Sequence, residues 1–246
     1  MKTKVKEFVK NNLLNLIAFF IGLVALLTLS IVFKSDVLTI IYTIFFLTYL
    51  FSTCSKLWVT PIFGIASIGL YVAISAISKN WGEVIFNCLF VLPILFFCVW
   101  QYLKNRSKEG VYVSQNKISI KEFLIFVACD FVFCVALFFV LRELKTPYTI
   151  LATICFFFCA IPDYLLLRRD RRMFYFYLLA NMLLTLLWLM PLIRGEGGGV
   201  SMIPVAGGFF FSIVFNSLGA INWKNKGENK NQIENGGEDG TFSAGR

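Results

Sequence analysis

No histidine occurs anywhere in the 246 residues. That removes a Ser-His-Asp relay, a histidine-ligated haem and every zinc site that uses imidazole. Charge is scarce too: Asp, Glu, Lys and Arg make up only 15% of the chain, and 14 of its residues are acidic. The seven cysteines, at 54, 88, 98, 129, 134, 155 and 159, include no Cys-x-x-Cys pair and all fall inside apolar runs. They read as small buried hydrophobes, neither metal ligands nor a disulfide framework. No metal or cofactor is expected, and hydrolytic or metal-dependent chemistry is disfavoured.

What the chain does have is apolar surface. Hydrophobic residues make up 58% of it, 28 residues are Phe, and the mean hydropathy is +0.76, well outside the range of a soluble domain. A hydrocarbon core about 30 Å thick needs roughly 20 helical residues to cross it. Eight nearly charge-free runs supply that length, at 11–33, 37–55, 57–78, 84–103, 123–141, 146–167, 173–193 and 197–223. They are apolar all round, whereas barrel strands would alternate over about ten residues. The expected fold class is all-α, a polytopic membrane protein of about eight helices. The lysine-rich start resembles a secretory leader, but the apolar run at 11–33 is longer than a leader core of about 7–15 residues and no small-x-small cleavage pattern follows it, so a retained first span is expected.

The net charge of +9 does not gather into a nucleic-acid-binding face. It follows the joints between spans. With the N-terminus inside, 18 Lys and Arg lie on inner segments against 5 outside, at Lys34, Lys79, Arg142, Lys145 and Arg194. The bias places both termini in the cytoplasm, since cytoplasmic loops are the positive ones.

The chain also carries a faint internal repeat. Gly64 and Tyr71 recur as Asn181 and Trp188 at an offset of 117, and Leu103-Lys104-Asn105 recurs as Trp223-Lys224-Asn225 at 120. Three spans reverse the side of the chain, so a second copy keeps the orientation of the first only if one extra span separates them. The expected organisation is one membrane domain, 1–223: a first helix 11–33 outside the core, a three-helix unit 37–103, a loop and linker helix 104–145, and a second unit 146–223. The tail 224–246, rich in Asn, Gly, Glu and Lys, is expected to be disordered. The polar connection 107–119 is expected to lie at the cytoplasmic surface, its lysines against anionic lipid.

Uncharged polar groups within spans are few, and an unpaired amide in hydrocarbon must face protein, water or ligand. Asn87, Gln101, Asn181 and Asn216 stand out. Phe174, Tyr177, Asn181 and Trp188 follow one another at steps of three, four and seven, giving one helix face three aromatics and an amide, and Asn87 and Gln101 share a face with Phe90 and Ile94. Such a wall suits a flat polar ring, by stacking and edge hydrogen bonds. It equally suits interhelical ties. Of the two acids within spans, Asp163 lies close to Arg168, Arg169, Arg171 and Arg172 and is expected to pair with one of them, while Asp130 either couples a cation or bonds a neighbouring helix. Pro61, Pro93, Pro162, Pro191 and Pro204 lie in or near spans, where they bend helices.

From about Leu50 to Lys226 these residues resemble the PnuC-type nicotinamide riboside transporters. The likeness is carried by Trp58-Val59-Thr60-Pro61-Ile62-Phe63-Gly64, by Gly82-Glu83-x-x-x-Asn87 with Leu89-Phe90 and Pro93, and by Trp100-x-x-Leu103-Lys104. It continues in Pro147-Tyr148, Asn181 with Trp188, and Gly219-x-x-Asn222-Trp223-Lys224. The resemblance implies a SWEET-like 3+1+3 core, a homotrimer, and passive uptake of a vitamin-like nucleoside that a cytoplasmic kinase then traps. It also implies a substrate held between the two three-helix units by Asn87, Gln101, Phe174, Tyr177, Asn181 and Trp188. Where the family often has Trp-x-x-Trp before the helix-seven Asn, this chain has Phe174 and Tyr177, and Leu103 and Leu218 replace common aromatics. Substrate identity is what such changes affect, so thiamine or a deoxyribonucleoside stays open beside nicotinamide riboside. A membrane enzyme acting on lipid would be expected to show clustered acids or histidines at an interface, which Asp163 among the arginines approximates poorly, and a non-transporting assembly or sensor protein is compatible with the same hydropathy.

Overall fold

The computed structural model describes residues 8–10, 12–106, 111–194 and 203–236, with side chains to Trp223. Eight helices among them are long and apolar enough to cross a membrane. They are α1 (Leu13–Val32), α2 (Val37–Cys54), α3 (Thr60–Ile77), α4 (Trp81–Lys104), α5 (Ile120–Glu143), α6 (Thr149–Leu167), α7 (Met173–Ile193) and α8 (Ile203–Gly236). The protein is an all-α, multi-pass membrane protein.

Local chemistry explains several helix ends. Asp36 caps α2 by accepting the Thr39 amide at 2.7 Å, Ser119 caps α5 by accepting the Glu122 amide at 3.2 Å, and Pro61 stands in the first turn of α3, where no amide partner is needed. At the other end, Lys34, Lys56, Lys79, Lys145 and Arg169 each follow a helix in the left-handed conformation, with φ between 50° and 65°. The next residue returns its amide to the carbonyl five back, as in Ser35 to Ser30 and Asn80 to Ser75, both at 2.8 Å. Glycine usually takes this position; here a cation does, set against the negative end of the helix dipole.

Two elements differ from the expected spans. Helix α4 starts at Trp81, three residues before the expected start at 84, and passes through a π-helical turn at Asn87–Val91. Pro93 sits just beyond that turn, where its missing amide breaks the regular ladder. Helix α8 continues past Trp223 to Gly236 into the stretch expected to be disordered, since extending a formed helix needs no new nucleus. Residues 237–246 and the expected start of the eighth span at 197–202 lie outside the described residues. Cys88 and Cys129 are exposed on the membrane-facing surface, a correction to the expectation that all seven cysteines are buried.

Helices α2, α3 and α4 pack in sequence, as do α6, α7 and α8. The first helix of each triple packs on the last of the other, α2 on α8 and α6 on α4. Helix α5 lies against α6, and α1 lies outside, against α2 and α8. A polar chain fastens α1: Asn222 donates to Asn15 at 2.9 Å and Asn15 donates to Ser55 at 3.1 Å.

The segment 111–118 is bound beneath the bundle at the Lys104 end of α4. Val113 donates to the Lys56 carbonyl at 3.0 Å, Ser114 to Asn105 at 3.1 Å and Asn116 to Arg169 at 3.1 Å. Asp170 holds the far end, accepting the Ile118 amide at 3.0 Å and the Arg172 guanidinium at 2.7 Å. Burial opposes ionisation of Asp170, but the hydrogen bonds from the Arg172 side chain, with the Arg172 and Ile118 amides, hold its carboxyl below the usual range. The connection expected only to lie along lipid therefore ties the two triples together.

Candidate functional site

A cavity of about 90 Å³, walled by aromatic rings, lies between the two triples. Toward the Trp81 end of α4 it is lined by Tyr42, Phe46, Tyr71, Glu83, Asn87 and Phe209. Toward the Lys104 end it is lined by Tyr49, Thr53, Asp163, Tyr177 and Asn216, with Asn181 between. No Lys or Arg lines it among the described residues.

In the first of these regions the early start of α4 makes Glu83 a buried helical residue. Asn87, one turn on, donates its side-chain amide to the Glu83 carbonyl at 2.8 Å and to Glu83 Oε2 at 3.1 Å. The Tyr71 ring stacks on Tyr42 at 5.7 Å, and its hydroxyl accepts the Trp188 indole N–H at 2.7 Å. In the second region the Tyr177 hydroxyl donates to Asp163 Oδ1 at 2.7 Å. With that proton committed, the Tyr49 hydroxyl, 3.3 Å away, donates to Tyr177. Asp163 thus faces the cavity through a tyrosine pair, and the expectation that it binds an arginine is corrected. The cations nearby go elsewhere, Arg168 to Glu122 at 2.8 Å and Arg172 to Asp170.

Of the six residues singled out from the sequence, Asn87, Tyr177 and Asn181 line the cavity. Trp188 stands behind it, 3% exposed, with its N–H fixing Tyr71. Phe174 is fully buried, edge-on to Trp223 at 5.5 Å and seated over Gly219, where even a methyl group would overlap its ring. Gln101 belongs to the end of α4, where its backbone and side-chain oxygens accept from Asn105 at 2.7 and 3.3 Å. Glu83, Tyr42 and Tyr49 are cavity residues that the sequence reading passed over. Glu83 already stood in the Gly82-Glu83-x-x-x-Asn87 stretch, four residues before Asn87 and hence on its helix face.

Across residues 36–225 the chain matches the family described as nicotinamide mononucleotide transporters. The chain belongs to that family. A relative from Neisseria mucosa, the nicotinamide riboside transporter PnuC, is 22% identical over 166 residues, which are 66% of this chain and 62% of the relative. The match thus spans less than two thirds of that relative's length. The crystal structure of the vitamin B3 transporter PnuC superposes with a TM-score of 0.74 at 17% identity, over 89% of this chain and 96% of the other. At that identity the likeness establishes the fold, and a transporter family with an aromatic cavity between its two triples is what the chain presents.

Proposed function

We propose that this chain carries nicotinamide riboside across the membrane. The observation that favours the riboside over the mononucleotide is the charge of the cavity. A phosphate monoester brings about −1.5 to −2 charges at neutral pH and takes Arg, Lys or a helix N-terminus as its partner. This cavity offers two carboxylates and no Lys or Arg among the described residues. A neutral ribose with its hydroxyls suits the amides of Asn87, Asn181 and Asn216, and the ring suits the faces of Tyr42 and Tyr71.

Transport is passive in this reading and is made effectively one-way by a cytoplasmic kinase that phosphorylates the arriving riboside, since the product then fits the cavity poorly. Both termini are cytoplasmic, as the distribution of Lys and Arg favours, and the chain works as a homotrimer. The chain is not an enzyme in this scheme.

Calorimetric titration of the purified full chain with nicotinamide riboside and with its mononucleotide tests the central claim. The riboside is expected to bind, with the mononucleotide weaker by about 100-fold or more, as like charges set together cost several kcal/mol. Equal or tighter binding of the mononucleotide would overturn it.

A further inference from the structure

Glu83 is 2% exposed, and its carboxyl has two neutral polar neighbours, the Asn87 amide and the Tyr71 hydroxyl. Oε2 receives the Asn87 amide, while Oε1 is buried without a hydrogen-bond partner among the described residues. That oxygen belongs to a residue lining the cavity, where Asp163 supplies a second carboxylate and no described Lys or Arg offsets either. Leaving a carboxylate unpaired away from water costs several kcal/mol, and it is relieved either by a proton or by a positive partner. Among the described residues the cavity wall provides no cation, only the neutral Asn87 amide and Tyr71 hydroxyl, so the positive complement falls to whatever enters.

The walls beside Glu83 point to the shape of that partner. Tyr42 and Tyr71 are 1% and 3% exposed and stack at 5.7 Å, and the Trp188 N–H holds the Tyr71 hydroxyl at 2.7 Å. Tyrosine faces attract cations, most strongly where water is excluded. A carboxylate oxygen beside aromatic rings favours a flat ring whose positive charge is spread over its atoms and cannot be lost as a proton. The Asn216 side-chain nitrogen, also buried and without a partner among the described residues, adds a donor for a hydroxyl oxygen on the same ligand.

We propose that Glu83 is the charge-recognising residue of this cavity, selecting ligands whose ring is permanently cationic, with Tyr42 and Tyr71 as its walls. This rests on the transport reading above and sharpens it: the ring of nicotinamide riboside, alkylated at nitrogen by the sugar, carries such a charge. The reduced dihydro form of the riboside is nearly the same shape and is neutral. Glu83 therefore separates the two redox forms, while a cavity built for shape alone takes both.

The experiment titrates the full chain in nanodiscs with oxidised and reduced nicotinamide riboside, thiamine and uridine, for the wild type, Glu83→Gln and Glu83→Asp. The wild type is expected to favour the oxidised riboside over the reduced by about 30-fold or more, the usual consequence of leaving a buried charge without its partner. Glu83→Gln should bring the two forms to near equality, and Glu83→Asp should keep the order. The wild-type comparison stands by itself if Glu83→Gln fails to fold. Should the chain bind thiamine and neither riboside, with Glu83→Gln abolishing the thiamine signal, the substrate reading fails and the role of Glu83 survives. Equal affinity of the wild type for the two redox forms, tighter binding of uridine than of every cation, or full discrimination in Glu83→Gln overturns the proposal. So does stabilisation by sodium that disappears in Glu83→Gln with no preference between the redox forms, since an inorganic cation then occupies the carboxylate.

Discussion

Asn181 and Phe174 lie seven residues apart on one stripe of α7, and their neighbours separate their roles. Asn181 opens onto the cavity, while Phe174 fills the notch left by Gly219 and meets Trp223. Truncating Phe174 to Ala empties a packed site and is expected to cost about 3 kcal/mol of stability, with the folded fraction binding ligand as before. Asn181 is a proposed partner of the ligand, and truncating it to Ala is expected to lower affinity by roughly 5- to 150-fold with little loss of stability. Thermal unfolding and ligand titration on both variants check this pair; a stable, normally binding Asn181→Ala would remove Asn181 from the site. Asn87 and Asn181 were legible as cavity residues because a polar group in an apolar run has few places to go, whereas Gln101 had one, the Asn105 side chain at the helix end. Of the aromatics only Tyr177 reached the cavity, because period alone marks a buried face without saying whether a ligand or a neighbouring helix covers it. Glu83 escaped for a different reason: a hydropathy window ends a span at the first charge, whereas a buried carboxylate facing an internal cavity belongs inside one.

At the scale of elements, the eight spans were readable to within a few residues where both flanks carry charge, as at α2 and α6. The helix ends qualify how charge reports orientation. Lys34, Lys79 and Lys145, three of the five cations expected outside, are the left-handed residues that terminate α1, α3 and α5. Lys56 and Arg169 do the same on the side expected inside, and with all five set aside the remaining cations stand 16 to 2, a clearer bias than the full count. The tie at 111–118 was illegible because its partners are backbone carbonyls spread over three joints. Its charged anchor gives a pH prediction. Asp170 has a folded-state pKa below its ordinary value, so its contribution is present above that ordinary value and is lost as pH falls through the depressed one. Hydrogen exchange at the Ile118 amide should stay slow from neutral pH down to about 4 and quicken below it, allowing for the intrinsic pH dependence of exchange. Asp170→Asn should release the segment already at neutral pH, removing roughly 2–3 kcal/mol of charged hydrogen bonding. An unchanged exchange rate in Asp170→Asn would show that the backbone contacts hold the segment without it.

For the whole molecule, the reciprocal packing of the two triples sets the cavity at their shared boundary, and Tyr71 and Trp188 occupy matching positions in the faint repeat while hydrogen-bonding to each other across it. Residues related by a two-fold axis meet only near that axis, so this pair supports the 3+1+3 reading and centres it on the cavity. Energetics then turn on whether any buried acid is coupled to an ion. Asp130 is the candidate apart from the cavity: it is 3% exposed on α5, its Oδ1 receives only the Cys134 thiol at 3.7 Å, and its Oδ2 has no partner among the described residues. It does not line the cavity, however, and it sits on the linker helix, outside both triples. An ion bound there would lie away from the cavity and from the boundary between the triples. Proteoliposomes holding the protein are therefore expected to bring nicotinamide riboside to equal concentrations on both sides, at the same final level with or without a pH or sodium gradient, and Asp130→Asn should equilibrate as the wild type does. Accumulation above the outside concentration under either gradient, lost in Asp130→Asn, would make this helix a coupling element and end the passive description.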